Sequence, residues 1–189
     1  MIPVNEPLIG AKEIEYVNEC LRSGWISSAG RFIEEFEEKW AAYCGMKYGI
    51  AMSNGTTALQ AAVGCGGLGH LSVFSFYANK LITTGEGGMV LTNDPAYAEK
   101  ARSLRNLCFL PHRRFYHTEL GHNFRLTNLQ AAIGLGQLER MEEIITKKRW
   151  MGKAYTERLQ VIPGLQLPVE EPWAKQVYWM YGIVLDEST

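Results

Sequence analysis

Ser72-Val73-Phe74-Ser75-Phe76-Tyr77-Ala78-Asn79-Lys80, continued by Leu81-Ile82-Thr83-Thr84-Gly85-Glu86-Gly87-Gly88, is the most informative stretch of this 189-residue chain. Its apolar start makes Leu71–Phe76 a strand candidate, and the run ends on a lysine. A lysine at the end of an apolar strand is partly desolvated. Desolvation favours the neutral amine, which can attack a carbonyl. Ser75 lies five residues earlier and a Gly-rich turn follows. That combination suits a phosphorylated carbonyl cofactor such as pyridoxal phosphate, which needs a Schiff-base lysine, a phosphate cup and a partner for its ring nitrogen. On position alone, a surface lysine ending an edge strand is the commoner outcome.

Working outward, Tyr48–Met52 is a short apolar run that fits a buried strand. Ser53-Asn54-Gly55-Thr56 then turns tightly into a helix of small residues, Thr57–Val63. A strand, a polar Gly turn and a helix N-terminus together make an anion site, because unpaired backbone N–H groups point at the ligand. An ordinary N-cap explains the same residues equally well. Four of the seven residues Gly64–His70 are Gly, which marks a flexible join rather than an element.

Met89–Thr92 is a further strand candidate, and Pro95–Leu104 a helix with proline in its first turn. Nearer the N-terminus, Ile14, Val17 and Leu21 give Glu13–Ser23 one apolar helical face, with Gly24 as the stop. A second helix, Arg31–Cys44, buries Ile33, Phe36, Trp40 and Tyr43 and ends at Gly45. Leu107–Phe124 has no clean period and reads as a long loop. Thr127 can cap a helix that runs from Asn128 to about Leu159 with a bend or break. Pro163-Gly164 turns the chain, and Val177–Leu185 is the last strand candidate. No internal repeat is evident.

Composition excludes several classes. The net charge of −1 lacks the basic excess of a nucleic-acid binder. At 47% hydrophobic and 21% charged residues the chain is too apolar for disorder. No apolar run is long enough to span a membrane, and the first residues lack the pattern of a signal peptide, so the cytoplasm is the expected location. Cys20, Cys44, Cys65 and Cys108 are widely spaced and read as free thiols. His70, His112, His117 and His122 have no ligand spacing, so no metal site is expected.

The stretch FSFYANKLITTGEGGMVLTND closely resembles the Schiff-base segment of the DegT/DnrJ/EryC1/StrS family of pyridoxal-phosphate-dependent sugar aminotransferases. SGWISSAGRFIEEFEEKWAAYCG, SNGTTAL, ELGHNFRLTNLQAAIGLGQLER and VYWMYGIVL resemble further family segments, so the likeness covers nearly the whole chain. The resemblance implies an α/β fold: part of an aspartate-aminotransferase-like (fold type I) large domain over residues 1–150, with several βα units missing, and the beginning of a small C-terminal domain over 151–189. It implies amino transfer from glutamate to a nucleotide-linked 4-keto-6-deoxy sugar, in surface polysaccharide synthesis. Lys80, rather than the histidine of dehydratase members, favours amine transfer.

By the same resemblance, Lys80 would hold pyridoxal phosphate and shuttle the proton. Gly55, Thr56 and Ser75 would meet its phosphate. Asn123 would reach the phosphate of a neighbouring subunit, which implies a homodimer. Arg113, Arg114 and Arg125 could face substrate anions, though a solvated loop explains them as well. Trp25 and Ser27 would line the sugar pocket.

The chain also departs from the family. Thr56 and Lys80 are 24 residues apart, whereas family members have on the order of a hundred more residues there. The block absent at the Gly64–His70 join would supply an aromatic over the pyridine ring, a Gln, and the Asp that pairs with the ring nitrogen. The chain's two aspartates, Asp94 and Asp186, fall elsewhere. Most of the small C-terminal domain is also expected to be absent. A catalytically inactive remnant, serving at most as a dimerisation or binding module, is therefore the alternative expectation.

Overall fold

The computed structural model describes residues 6–65, 70–110 and 112–185, with the side chains of 62–65 and of Arg114 also outside the description. Most of the Gly64–His70 join and Asp186 thus lie outside the described residues. The chain divides into two compact units, Met1–Glu139 and Arg140–Thr189.

The first unit is built on a three-stranded sheet of β1 (Tyr48–Met52), β2 (Leu71–Ser75) and β3 (Gly88–Thr92), in the order β1-β3-β2. β3 is antiparallel to both neighbours, so β1 and β2 run the same way with β3 between them. Val90 is opposite Ile50 on one side and Val73 on the other. All five β3 residues are buried, as a central strand with both faces covered requires.

On one face, α3 (Gly55–Cys65) and α4 (Pro95–Arg105) pack Ala58, Ala61, Ala98 and Ala101 onto Ile50, Met52 and Val90. Asp94 caps α4 by accepting the Ala96 N–H at 2.7 Å. On the other face, the Trp40 ring meets Phe74 and Phe76 edge-on, at 5.4 and 4.9 Å between centroids. Trp40 belongs to α2 (Arg31–Tyr43), where Ile33, Phe36 and Trp40 are buried as the periodicity predicts, Phe32 is buried outside that stripe, and Tyr43 is half exposed.

α5 (Asn128–Glu139) is the small-residue helix that α1 (Ala11–Ser23) and α2 close upon. A Cβ at Gly134 would lie 2.7 Å from the Phe36 ring, and one at Gly136 would lie 2.9 Å from Glu13. That close approach decides which face of α1 is buried. Glu13 and Cys20 are inside, while Ile14 and Leu21 are 55% and 58% exposed. The expected Ile14–Val17–Leu21 face is not the packed one. Glu13 is satisfied inside because it accepts from Gln137 Nε2 at 2.6 Å and from the Gly10 N–H at 3.1 Å. Gly24 ends α1 in the left-handed conformation, φ 74°.

The expected loop Leu107–Phe124 contains a hairpin, β4 (Phe109–Leu110) with β5 (Arg113–His117). The run Arg113-Arg114-Phe115-Tyr116-His117 does not alternate, which hides the strand period, and Phe115 at φ 68° interrupts it. Thr127 starts α5 through a capping box. Its hydroxyl takes the Gln130 N–H at 3.2 Å, and Gln130 Oε1 takes the Thr127 N–H at 3.0 Å.

In the second unit, α6 (Met141–Leu159) begins after Arg140, whose φ −108° and ψ 14° break the helical run as expected. β6 (Leu165–Gln166) pairs with β7 (Val184–Leu185), so the expected strand Val177–Leu185 shrinks to two residues. Tyr178, at φ 50°, leaves extended backbone. Its ring covers Gly152, where a Cβ would lie 2.6 Å away.

Candidate active site

α3 starts where β1 ends, and its first turn is held by a reciprocal cap. Asn54 Oδ1 accepts the Thr57 N–H at 2.9 Å, and the Thr57 hydroxyl donates to the Asn54 carbonyl at 2.9 Å. The cap uses the N–H of the third helical residue. The N–H groups of Gly55 and Thr56, at the first two positions, have no intrahelical acceptor and carry the positive end of the helix dipole.

Gly55 also brings the turn onto β2. A Cβ there would lie 2.8 Å from Ser75 Cβ and 3.1 Å from Ser75 Oγ. At Gly88 a Cβ would lie 2.4 Å from the Asn54 carbonyl oxygen. Two bare glycines therefore let the end of β1, the start of α3 and the ends of β2 and β3 meet.

Lys80 sits just beyond β2, in a turn closed by its own N–H donating to the Tyr77 carbonyl at 2.9 Å. Two buried threonines hold the loop that carries it. Thr83 Oγ1 donates to the Phe76 carbonyl at 3.0 Å and accepts the Gly85 N–H at 2.8 Å. Thr84 Oγ1 donates to the Glu86 carbonyl at 2.6 Å, which Gln130 Nε2 also reaches at 2.9 Å. Phe76 ties both ends, donating its N–H to Gly87 and accepting that of Thr84.

These elements enclose a cleft of about 840 Å³ lined by Gly55, Thr56, Ser75 and Lys80, with Asn54 and Glu86 beside them. The lining thus brings together a helix start, the hydroxyl-bearing Thr56 and Ser75, and a lysine. Tyr77 and Asn79 also line the cleft and carried no sequence signal beyond their neighbourhood to Lys80. From sequence, the tight turn at Ser53–Thr56 stands open between an anion site and an ordinary N-cap, and the Asn54–Thr57 cap is present.

The other candidate residues lie outside this lining. Asn123 is exposed and pairs through its backbone with Asn106. Arg125 lines a separate basin with Arg102 and Arg105 and donates to Asn106 Oδ1 at 2.7 Å. Arg113 is exposed over the Tyr116 ring at 4.6 Å, and the Arg114 side chain lies outside the described residues. Trp25 is 59% exposed, and the Trp25 and Ser27 carbonyls accept from Asn128 Nδ2 and N at 2.7 Å each. Among the described residues no group of histidine, cysteine or acidic side chains could hold a metal, and Cys20, Cys44 and Cys108 are free thiols. No helix among them is long and apolar enough to cross a membrane.

The DegT/DnrJ/EryC1/StrS aminotransferase family matches the sequence in two stretches, residues 7–65 and 63–189. The chain belongs to this family. It is 30% identical to a GDP-perosamine synthase of Caulobacter vibrioides, across 99% of this chain and 78% of that protein. A GDP-perosamine synthase of Vibrio cholerae is 28% identical, across 100% and 78%. The Helicobacter pylori aminotransferase PseC, involved in pseudaminic acid biosynthesis, shares the fold with a TM-score of 0.89 at 20% identity, over 98% of this chain and 78% of that one. TlmJ, an aminotransferase from Streptoalloteichus hindustanus, shares it with a TM-score of 0.87 at 22% identity, over 100% and 80%. By that likeness the fold is part of the α/β large domain of a pyridoxal-phosphate-dependent sugar aminotransferase, and the chain belongs to an enzyme family.

The alignment with the Vibrio protein runs 289 positions against 189 residues here, so about a hundred of its positions have no counterpart in this chain. The two family matches overlap at residues 63–65, the last three residues of α3.

Proposed function

We propose that this aminotransferase-family chain holds pyridoxal phosphate on Lys80 and moves an amino group from glutamate to a nucleotide-linked 4-keto-6-deoxy sugar. The observation that carries the reading is the convergence of Lys80, Ser75, Gly55 and Thr56 on one cleft from three separate elements. The phosphate end fits: two N–H groups at a helix N-terminus and two hydroxyls match an anion. The lysine end fits a carbonyl. When bound, the cofactor supplies an electron sink for the carbanion at the substrate carbon. Lys80 Nζ then serves as the base that takes a proton from one carbon and returns it to the other. Ser75 and the α3 turn keep the phosphate fixed while Nζ moves.

The nucleotide-sugar reading rests on the relatives, two of which are GDP-perosamine synthases. A second copy of the chain is the proposed partner. Leu8, Ile9, Trp25, Phe115 and Leu120 are exposed apolar side chains of the kind an interface covers, and Asn123, beyond the same hairpin, is available to a neighbour's phosphate. Arg113 and Arg125 are the proposed contacts for substrate anions, and the cytoplasm is the proposed location.

One observation favours a second reading, a member that binds the phosphate without turnover. Among the described residues the cleft lining contains no aspartate, and Glu86 is its one acidic side chain. Without a carboxylate partner the ring nitrogen keeps its proton less well and the electron sink weakens.

The test is to add pyridoxal phosphate to the purified chain, record the visible spectrum, reduce with borohydride and map the label. A visible band with label on Lys80, bleached by glutamate, supports the transferase. Label on Lys80 without a glutamate response supports the second reading. Label scattered over surface lysines overturns both.

A further inference from the structure

The two edges of the sheet differ. The outer edge of β1 is engaged at Ala51, Met52 and Ser53. The Ser53 N–H donates to the Phe124 carbonyl at 2.8 Å, and Met52 forms a bridge with Arg125. The Ala51 N–H donates to Glu37 Oε1 at 2.8 Å, and the Ala51 carbonyl accepts from Arg105 at 2.8 Å. The outer edge of β2 makes no ladder with any described residue. Leu71-Ser72-Val73-Phe74-Ser75 carries no charge and no proline, so it has none of the devices that usually protect an edge.

Each of its faces carries a packed apolar side chain beside a serine, with Ser72 exposed. Val73 packs toward the Ile50–Val90 cluster under α3 and α4, and Phe74 packs against Trp40 of α2. A strand added here would meet apolar layers above and below. Such a strand is an uncharged apolar run, as in the interior of a sheet covered on both sides. The two family matches overlap at the end of α3, the element that precedes this strand, and relatives carry about a hundred residues that this chain lacks.

We propose that the outer edge of β2 is a docking edge for a separate polypeptide carrying the central block that family relatives hold between these two elements. The block adds its strand to β2 by main-chain hydrogen bonds and closes the cleft side of the sheet. The inference rests on family membership, not on cofactor binding.

The experiment co-expresses the tagged full chain with the roughly hundred-residue central block of the Caulobacter vibrioides relative, the part its alignment leaves unmatched. The block should co-purify in equimolar amount. Hydrogen exchange at residues 71–75 should slow by roughly tenfold or more when the block is present. Ser72 is exposed on β2, so Ser72→Lys should leave the circular dichroism and melting of the chain unchanged while retention of the block drops by about tenfold. No capture by the wild-type chain overturns the proposal, as does equal capture by Ser72→Lys. So does protection of residues 71–75 in the chain alone that rises with its concentration and is not displaced by the block, which assigns the edge to a second copy. None of these readouts uses the cofactor: capture without a visible band on adding pyridoxal phosphate sustains the docking edge and rejects the cofactor reading.

Discussion

Gly55 lies so close to Ser75 that a Cβ on it would come within 2.8 Å of the serine Cβ. The contact is what brings the helix N-terminus and the serine hydroxyl to one phosphate site. Gly55→Ala must push the turn off β2, because Ser75 Cβ cannot rotate away as a flexible chain end could. The helix itself gains from alanine, so global stability should change little. Affinity for pyridoxal phosphate should fall by about tenfold to a hundredfold, the loss expected for one or two hydrogen bonds to a charged group. A spectroscopic titration of wild type and variant measures it, and equal affinities would refute the shared cup.

The Asn54–Thr57 cap separates two roles in one turn. Thr57→Val removes the hydroxyl that bonds the Asn54 carbonyl but leaves the Gly55 and Thr56 N–H groups in place. A cost of about 1 kcal/mol in urea unfolding is expected, typical of a lost cap. Thr56→Val should do the reverse, sparing stability and weakening the phosphate. If both variants moved the same quantity, the division between cap and cup would be wrong.

Arg105 and Glu37 form a mostly buried ion pair across the outer edge of β1, with side-chain exposures of 17% and 12%. Glu37 also accepts the Ala51 N–H, and Arg105 donates to the Ala51 carbonyl. Removing one partner strands the other charge. Arg105→Met should cost about 3 to 5 kcal/mol. Glu37→Gln keeps an acceptor for Ala51 and removes the charge, so the double variant should recover much of the loss. Urea melts of the four proteins close the cycle. Strict additivity would show that the pair is not coupled.

The sequence made some of this legible and hid the rest for identifiable reasons. Ser75 and Lys80 stand on one strand and turn, and their neighbours Gly55 and Thr56 carry a helix-start signature, so the cup could be anticipated. The strand β1 follows its apolar run, α2 follows its period up to Trp40, and α4 starts at its proline. α1 does not, because the helix it meets is made of small residues, and a Glu13–Gln137 hydrogen bond substitutes for apolar packing. The hairpin within 107–124 is masked by His, Arg and aromatic side chains at both faces. The turn at Tyr178 depends on a distant bare surface at Gly152, which no local pattern announces. Trp25, Ser27 and Arg125 are expected at the site by resemblance alone, and they are not among the residues that line the Lys80 cleft.

Glu139 gives a prediction with a definite pH window. It closes α5, where the helix dipole disfavours a negative charge, so cations must hold it. Lys39 Nζ and the Tyr16 hydroxyl each reach it at 2.9 Å, and Lys12 binds the same carboxylate. Burial pushes its carboxyl up, but the hydrogen bonds from Lys12, Lys39 and Tyr16 outweigh that and hold it at about 2. The folded value is below the ordinary 4.5, so the group contributes stability that is fully present above about pH 4.5 and is lost as the pH falls toward 2. Glu139→Gln removes this dependence. The melting temperatures of wild type and variant should differ at neutral pH and converge as the solution is acidified through that window. A constant difference down to about pH 2 would mean that the three donors do not act on the ionised form.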